Sequence, residues 1–341
     1  MLGPVSWLET KEVGNQVPVE VLLATYNGER FLREQIDSIL AQDYRNVRVL
    51  ARDDGSSDGT VTILNEYAQR YPDRFRVMPP SPRASSAKDN FLLLMKASFA
   101  EYICFSDQDD VWLPDKVTRT KQAMEQLESQ WGVGVPLLVF TDLRIVDDAL
   151  RPLHNSFWAH EKIKPERIDR LPALLVQNVV TGCTAMLNRK LLELSLRMPD
   201  EAVMHDQWIA LLASTMGKSG VVKAQTVLYR QHDSNVLGAG KRTQTLQDLI
   251  LRVRGSKRRE MQWENSQRQA QAFLNMHSAE VSKQHRHLLQ AYLPCGTRGS
   301  RVIRIATLIR FGFRRVGLLS NLAMLFDLWT MKPRHVEAET C

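Results

Sequence analysis

Three short apolar runs, each ending in a polar cluster, constrain this chain more than any other feature. Val19 to Ala24 leads into Thr25-Tyr26-Asn27-Gly28. Val47, Val49 and Ala51 alternate with polar residues and lead into Asp53-Asp54-Gly55-Ser56-Ser57-Asp58-Gly59. Tyr102 to Phe105 ends at Ser106-Asp107-Gln108-Asp109-Asp110. Runs of this length, bounded by turn residues, read as strands. Phe75 to Met78 reads as one more. Between the runs, apolar residues recur at helical spacing: Phe31, Leu32, Ile36, Ile39 and Leu40, then Val61, Leu64 and Ala68, then Phe91 to Phe99. Ser57 or Asp58 can cap the second of these helices. Regular alternation of strand and helix implies an α/β fold, a mostly parallel sheet flanked by helices. Ligands of such sheets bind beyond the carboxyl ends of the strands. One site can therefore draw on all three polar clusters.

The second half is less regular. Leu137 to Phe140 and Val179 to Leu187 read as strands, Ile209 to Met216 as a helix and Val221 to Tyr229 as extended chain. From about Thr243 the pattern is helical and basic. Residues 241–341 hold 18 Lys and Arg against 7 Asp and Glu, a net of +11, whereas residues 1–240 carry a net of −4. A globally basic nucleic-acid binder needs no such split; a slightly acidic catalytic body with a basic anchor does. The division expected is an extension over 1–17, a catalytic domain over 18–240 and a helical basic region over 241–341. Cys104, Cys183, Cys295 and Cys341 show neither disulfide framework nor zinc spacing, which suits a reducing cytoplasm. Met1 to Asn15 lacks the apolar run of a signal peptide, and no stretch approaches the roughly 20 apolar residues of a membrane span.

Five clusters carry the chemistry. Three carboxylates in Asp107-Gln108-Asp109-Asp110 repel one another unless a cation or hydrogen bonds compensate them. A hard divalent cation would, and it also bridges diphosphate oxygens; a solvated acidic turn before a helix near Pro114 is the simpler alternative. In the Asp53-Asp54 cluster a carboxylate can accept the N3 hydrogen of a pyrimidine, or merely cap a helix. Tyr26 can stack on a base or sit on a rim. Asp206, in Met204-His205-Asp206-Gln207-Trp208, can serve as a general base or as a helix N-cap. In Tyr229-Arg230-Gln231-His232, the histidine can complete a metal shell and the arginine can hold phosphate.

Taken in order, Thr25-Tyr26-Asn27, Asp53-Asp54-Gly55-Ser56, Asp107-Gln108-Asp109-Asp110 and Asp206 resemble the inverting glycosyltransferases of family 2, which have the GT-A fold. The resemblance covers about residues 18–238. Cys104 to Trp112, Asn178 to Thr184, Met204-His205-Asp206 and Leu228 to His232 resemble a narrower bacterial branch, many of whose members are rhamnosyltransferases of cell-surface polysaccharide assembly. The resemblance implies a nucleotide-sugar site formed by Thr25, Tyr26, Asn27, Asp53, Asp54, Lys88, Asn90, Asp107, Gln108 and Arg230. It implies magnesium or manganese held by Asp107, Asp109 and His232, with Asp206 as catalytic base. The donor is expected to be thymidine-diphosphate rhamnose, with a uridine-diphosphate hexose as the alternative. The acceptor is expected to be a polysaccharide or lipid-linked oligosaccharide. The Gln-X-X-Arg-Trp motif of processive members is absent, which implies a single transfer. Asp233 stands after His232 where a small residue is usual.

Ser300 to Met331 has a repeated apolar face (Val302, Ile303, Ile305, Leu308, Ile309, Phe311, Phe313, Leu318, Leu319) beside Arg301, Arg304, Arg310, Arg314 and Arg315. It reads as a basic amphipathic helix that lies on the cytoplasmic face of the inner membrane, or else packs on the body. Two rivals remain. A nucleotidyltransferase would want a basic, Gly-rich first loop, which Thr25-Tyr26-Asn27-Gly28-Glu29 does not supply. A nucleic-acid binder using the tail leaves the acidic clusters unexplained; no nucleic-acid partner is expected.

Overall fold

The computed structural model describes residues 16–80, 82–84, 86–232, 257–297 and 300–330. The strands are β1 (Val19–Thr25), β2 (Val47–Asp53), β3 (Phe75–Val77), β4 (Tyr102–Ser106), β5 (Val111–Trp112), β6 (Leu137–Val146), β7 (Pro152–His154), β8 (Ala185–Asn188) and β9 (Lys218–Arg230). They form a single sheet in the order β3-β2-β1-β4-β8-β6-β9-β5, with β7 added to β6. β1, β2, β3 and β4 run parallel. β8 pairs antiparallel with both β4 and β6, so the sheet is mixed beyond β4. The chain leaves β1 for β2 on one side and returns to β4 on the other. A crevice therefore opens beyond the carboxyl end of β1, where the strand order reverses.

Side chains of a strand alternate between faces. Leu22, Leu50, Ile103 and Phe105 enter one core; Val21, Leu23, Val49 and Cys104 enter the other. Burial on both faces explains why these strands are nearly continuous apolar runs. The second core is closed by α1 (Leu32–Leu40), α2 (Thr60–Arg70) and α4 (Lys116–Trp131); the first takes α3 (Ala87–Ala97). After the single turns α5 (Phe157–His160) and α6 (Leu171–Leu174), α7 (Arg189–Ser195) and α8 (His205–Met216) join the first core. The same core runs on into the carboxy-terminal helices α9 (Lys257–His277), α10 (Lys283–Tyr292), α11 (Pro294–Thr297), α12 (Arg301–Phe311) and α13 (Leu318–Thr330). Trp208 of α8 meets Phe273 of α9 edge-on at 5.2 Å. The Tyr292 hydroxyl donates to the Leu175 carbonyl, and Arg315 Nε to that of Val176.

Several sequence expectations are corrected. α2 buries Ile63, Leu64 and Tyr67, while Val61 is exposed. α3 begins at Ala87, because the Ser86 hydroxyl caps it by accepting from Asp89 N–H, so Lys88 and Asn90 fall in its first turn. Val179 to Thr184 is not strand. Asn178 Oδ1 accepts from Val180 N–H and Asp206 Oδ2 from Gly182 N–H, so side chains satisfy backbone groups that a neighbouring strand would otherwise take. The tail segment is two helices. Gly312 (φ 72°) and Gly317 (φ 93°) adopt the left-handed conformation that ends α12 and turns the chain. Of its expected apolar face, Leu308 and Phe313 are buried, but Val302, Ile303, Ile309, Leu318 and Leu319 are each more than half exposed. Among the described residues no helix is long and apolar enough to cross a membrane. Asp233, the start of the helical region at Thr243, Met331 and residues 1–15 lie outside the described residues.

Candidate active site

The polar ends of β1, β2 and β4 are tied together by side chains. Asn27, with φ 48°, accepts from Ser57 N–H at 2.8 Å through its Oδ1 and donates its own N–H to Ser56 Oγ at 2.8 Å. Those bonds join the β1 loop to the β2 loop. Gln108 joins it to the β4 loop: its amide accepts from Tyr26 N–H at 2.8 Å and donates to the Tyr26 carbonyl at 2.9 Å. The Tyr26 ring is left 42% exposed, with the Arg83 guanidinium 4.3 Å from its centre. Asp54 and Asn90 share one buried guanidinium, since Arg52 donates to Asp54 Oδ1 at 2.9 Å and to Asn90 Oδ1 at 2.8 Å.

These loops wall a cleft of about 900 Å³. Thr25, Tyr26, Asn27, Asp54, Asn90, Asp107, Gln108, Asp109, Asp206 and His232 all line it. Three residues expected in the site do not. Asp53 turns back to accept from Thr25 Oγ1, Ser56 Oγ and the N–H groups of Gly55 and Ser56, which organises the turn. Lys88 donates to the Asp200 carbonyl at 2.7 Å. Arg230 is 1% exposed; it donates to the carbonyls of Asp109 and Asp148, pairs with Glu34 at 2.5 Å and lies 4.4 Å from the centre of the Phe31 ring. It clamps the acidic loop from behind.

The acidic centre is electrostatically costly. Burial pushes Asp107 up to about 7, with Asp109 and Asp206 adding to the rise. Burial also pushes Asp206 up to about 6, against hydrogen bonds from Gln207 N–H at 2.6 Å and Gly182 N–H at 3.2 Å. Asp206 lies in the first turn of α8 and Met204 occupies the N-cap, so the capping alternative for Asp206 does not apply. His232 Nε2 lies 2.8 Å from Asp109 Oδ2, its ring 5.0 Å from that of Phe31. Among the described residues, ligand-type atoms of Asp107, Asp110 and Cys183 lie within 4.8 Å of one another. Asp110 and Cys183 lie beneath the cleft wall, with the fully buried Lys116 close by. Burial holds the Cys183 thiol well above its usual range. Asp110 Oδ1 accepts from Arg230 N–H, so it braces the loop from below.

Sequence reasoning passed over His205. It lines the cleft beside Asp206, is 4% exposed, and neither ring nitrogen has a hydrogen-bond partner among the described residues. Its ring packs against Phe91 and Phe105 at 4.3 and 4.8 Å. Gly182 makes room for it, since a Cβ there would stand 2.7 Å from Nε2. Desolvation drives its pKa down to about 3, so the ring is neutral. Its only sequence signal is its place next to Asp206.

A curated relative, dTDP-rhamnosyl transferase RfbG of Shigella flexneri, is 28% identical over 228 residues, 64% of this chain and 74% of that one. Among solved structures, S. aureus TarS 1–349 in complex with UDP-GlcNAc superposes with a TM-score of 0.52 at 14% identity, covering 91% of this chain and 90% of that one. Its complex with UDP gives 0.51 at 16% identity, covering 86% and 92%. At such identities the likeness shows the fold, the GT-A arrangement expected from the motifs. The model of Glycosyl transferase family 2 matches residues 20–195, more than half the chain, from β1 to the end of α7, and so takes in the loops that bind Tyr26, Asp54 and the Asp107–Asp110 turn into one wall; the chain belongs to that family.

Proposed function

We propose that this glycosyltransferase moves a single sugar, L-rhamnose from thymidine-diphosphate rhamnose, onto a hydroxyl of a lipid-linked or polysaccharide acceptor, with inversion. One observation carries the reading: Asp54, Asp107, Asp109 and Asp206, up to 152 residues apart in the chain, face a single cleft. The choice of rhamnose is supported by the likeness to RfbG.

Asp107, Asp109 and His232 offer carboxylate and imidazole groups at the cleft wall, and the burial that lifts Asp107 is relieved when a positive charge binds. The carboxylates of Asp107 and Asp109 suit magnesium or manganese, and His232, with Nε2 2.8 Å from Asp109 Oδ2, would complete the shell. When bound there, such a cation would neutralise charge on the leaving diphosphate. The chain's own residues do the rest. Tyr26, fixed by Gln108, lies against the pyrimidine, and Asp54 accepts its N3 hydrogen. Asp206 takes the proton of the acceptor hydroxyl on its carboxylate. That hydroxyl oxygen bonds to the anomeric carbon as the bond to the diphosphate oxygen breaks on the opposite face, so the configuration inverts.

The exposed apolar residues of α12 and α13, beside Arg301, Arg310 and Arg314, suit attachment to an anionic bilayer surface, where a lipid-linked acceptor is presented. In this scheme the body over 18–240 holds the donor, α9 and α10 pack on it, and the exposed faces of α12 and α13 meet the membrane.

A thermal-shift screen of nucleotides with manganese tests the donor. Stabilisation by thymidine diphosphate above uridine diphosphate is expected; the reverse order would replace rhamnose by a uridine-diphosphate hexose. Vesicle flotation tests the surface. Replacing Leu318, Leu319 and Leu322 by serine should abolish flotation with anionic vesicles, and undiminished flotation removes the membrane from the scheme.

A further inference from the structure

A second cavity, of about 550 Å³, lies away from the cleft, between the turn preceding α6 and the carboxy-terminal helices. Arg167, Arg170 and Arg314 line it over an apolar floor that includes Leu171, Leu288 and Phe311. Three guanidiniums at one opening repel one another. Burial lowers the pKa of Arg167, and the charges of Arg170 and Arg314 lower it further. The Arg167 guanidinium donates to the Arg314 carbonyl, which ties the α12–α13 connection to the turn. Asp169, the only carboxylate among the lining residues, makes no ion pair with any of the three arginines, and Glu166 is drawn off to Lys223 at 2.7 Å. The described residues therefore supply three cations at this opening and no counter-charge paired to them.

We propose that this cavity binds a phosphate group. Guanidinium forks match phosphate oxygens, which makes arginine clusters suited to that anion. The surroundings favour a phosphate carried on a lipid. The floor is apolar, and α13, with Leu318, Leu319 and Leu322 exposed, begins four residues after Arg314. The segment that forms the rim also reaches the catalytic cleft, since Phe157, Glu161 and Ile163 line the cleft and Arg167 and Arg170 line the cavity. A phosphate held there would thus fix the distance from a membrane surface to the cleft. The site stands apart from the donor chemistry and does not depend on which sugar is transferred.

The test uses the full chain with two probes: inorganic phosphate, read by thermal shift, and phosphatidylcholine vesicles containing phosphatidylglycerol, read by flotation. The variant combines Arg167→Gln, Arg170→Gln and Arg314→Gln. A control combines Arg301→Gln and Arg310→Gln, which removes charge from α12 outside the cavity. Binding of thymidine diphosphate with manganese reports that each variant is folded and that the donor site is intact. The cavity variant is expected to lose the thermal shift given by inorganic phosphate and to bind vesicles on the order of a hundredfold more weakly, whereas the control, which gives up two surface charges and so also binds vesicles more weakly, keeps the phosphate shift in full. Loss of the response to inorganic phosphate with vesicle binding kept would also support the site, with a soluble phosphate as its source. The proposal is overturned if the cavity variant keeps the phosphate shift of the unmodified chain, whatever its vesicle binding, or if the control loses that shift as well. Should the triple variant misfold, the exposed Arg170→Gln alone is expected to weaken vesicle binding about fivefold, and no change would overturn the site.

Discussion

Replacing Asp206 by asparagine isolates the proton transfer from donor binding. The carboxylate sits in the first turn of α8, accepting from Gln207 N–H at 2.6 Å and from Gly182 N–H at 3.2 Å. Asparagine keeps the volume and can keep the shorter of those bonds. Its other face then presents an N–H group to the Gly182 N–H, which costs the fold about 1–3 kcal/mol for the unsatisfied donor. Removal of a buried charge offsets part of that cost, because Asp206 titrates near 6 and its ionised form is disfavoured by burial. Stability should therefore change little. Turnover should not survive. A positioned general base contributes about 10²–10⁴-fold, which is roughly 3–5 kcal/mol at 1.36 kcal/mol per tenfold. The sign of the pH dependence follows from the same group. Asp206 must be deprotonated to act, so the unmodified enzyme should lose rate as pH falls through about 6. The variant should show a low, flatter profile. The assay is release of nucleoside diphosphate with acceptor present, with donor affinity measured separately by calorimetry. Turnover within tenfold of the unmodified enzyme, or an unchanged acid limb, would refute the assignment.

Asp109→Ala should lose manganese-dependent donor binding in calorimetry while shifting the thermal midpoint of the metal-free protein little, because relief of the repulsion on Asp107 offsets loss of the contact with His232. Metal-free protein should also grow less stable as pH rises from about 4 to 7. Asp107 and Asp206 titrate near 7 and 6 when folded, above their unfolded values, so the stability they contribute is present at low pH and lost as pH rises through those values. Manganese should therefore raise the melting temperature more at pH 7.5 than at pH 5, and an equal gain at both would contradict the electrostatic account. Arg230→Met should cost about 2–4 kcal/mol in urea unfolding, since it strips the donors from the Asp109 and Asp148 carbonyls. A change below about 0.5 kcal/mol would show that Arg230 is no clamp.

The amino-terminal half of the fold was legible because each parallel strand is buried on both faces. Burial on both faces writes it as a plain apolar run, and the run stops where the cleft begins. The site residues that flank those strand ends, Tyr26, Asp54, Gln108 and Asp109, could be placed for the same reason. β5 escaped because two residues carry no period. The Val179–Thr184 stretch misled because its apolar composition suits a strand, while its backbone bonds go to Asn178 and Asp206. Arg230 was misjudged through its chemistry. A guanidinium suits phosphate and carbonyl alike, and only the fold shows which lies in reach. His205 left no trace beyond adjacency, since burial without a partner is a property of three dimensions. The arginine cavity joins residues 147 positions apart, a distance that no local pattern spans.

The contact between Trp208 and Phe273 has a bearing on how variants of the tail are to be interpreted. α9 buttresses the helix that presents Asp206 to the cleft, with Val203 N–H, just ahead of that helix, donating to Gln269 Oε1. Shortening the chain to map bilayer attachment would unseat that helix as well, so a dead truncation would report a shaken base no less than a missing anchor. Chimaeras that exchange tails between relatives should therefore carry the outward face of α8 along with the graft.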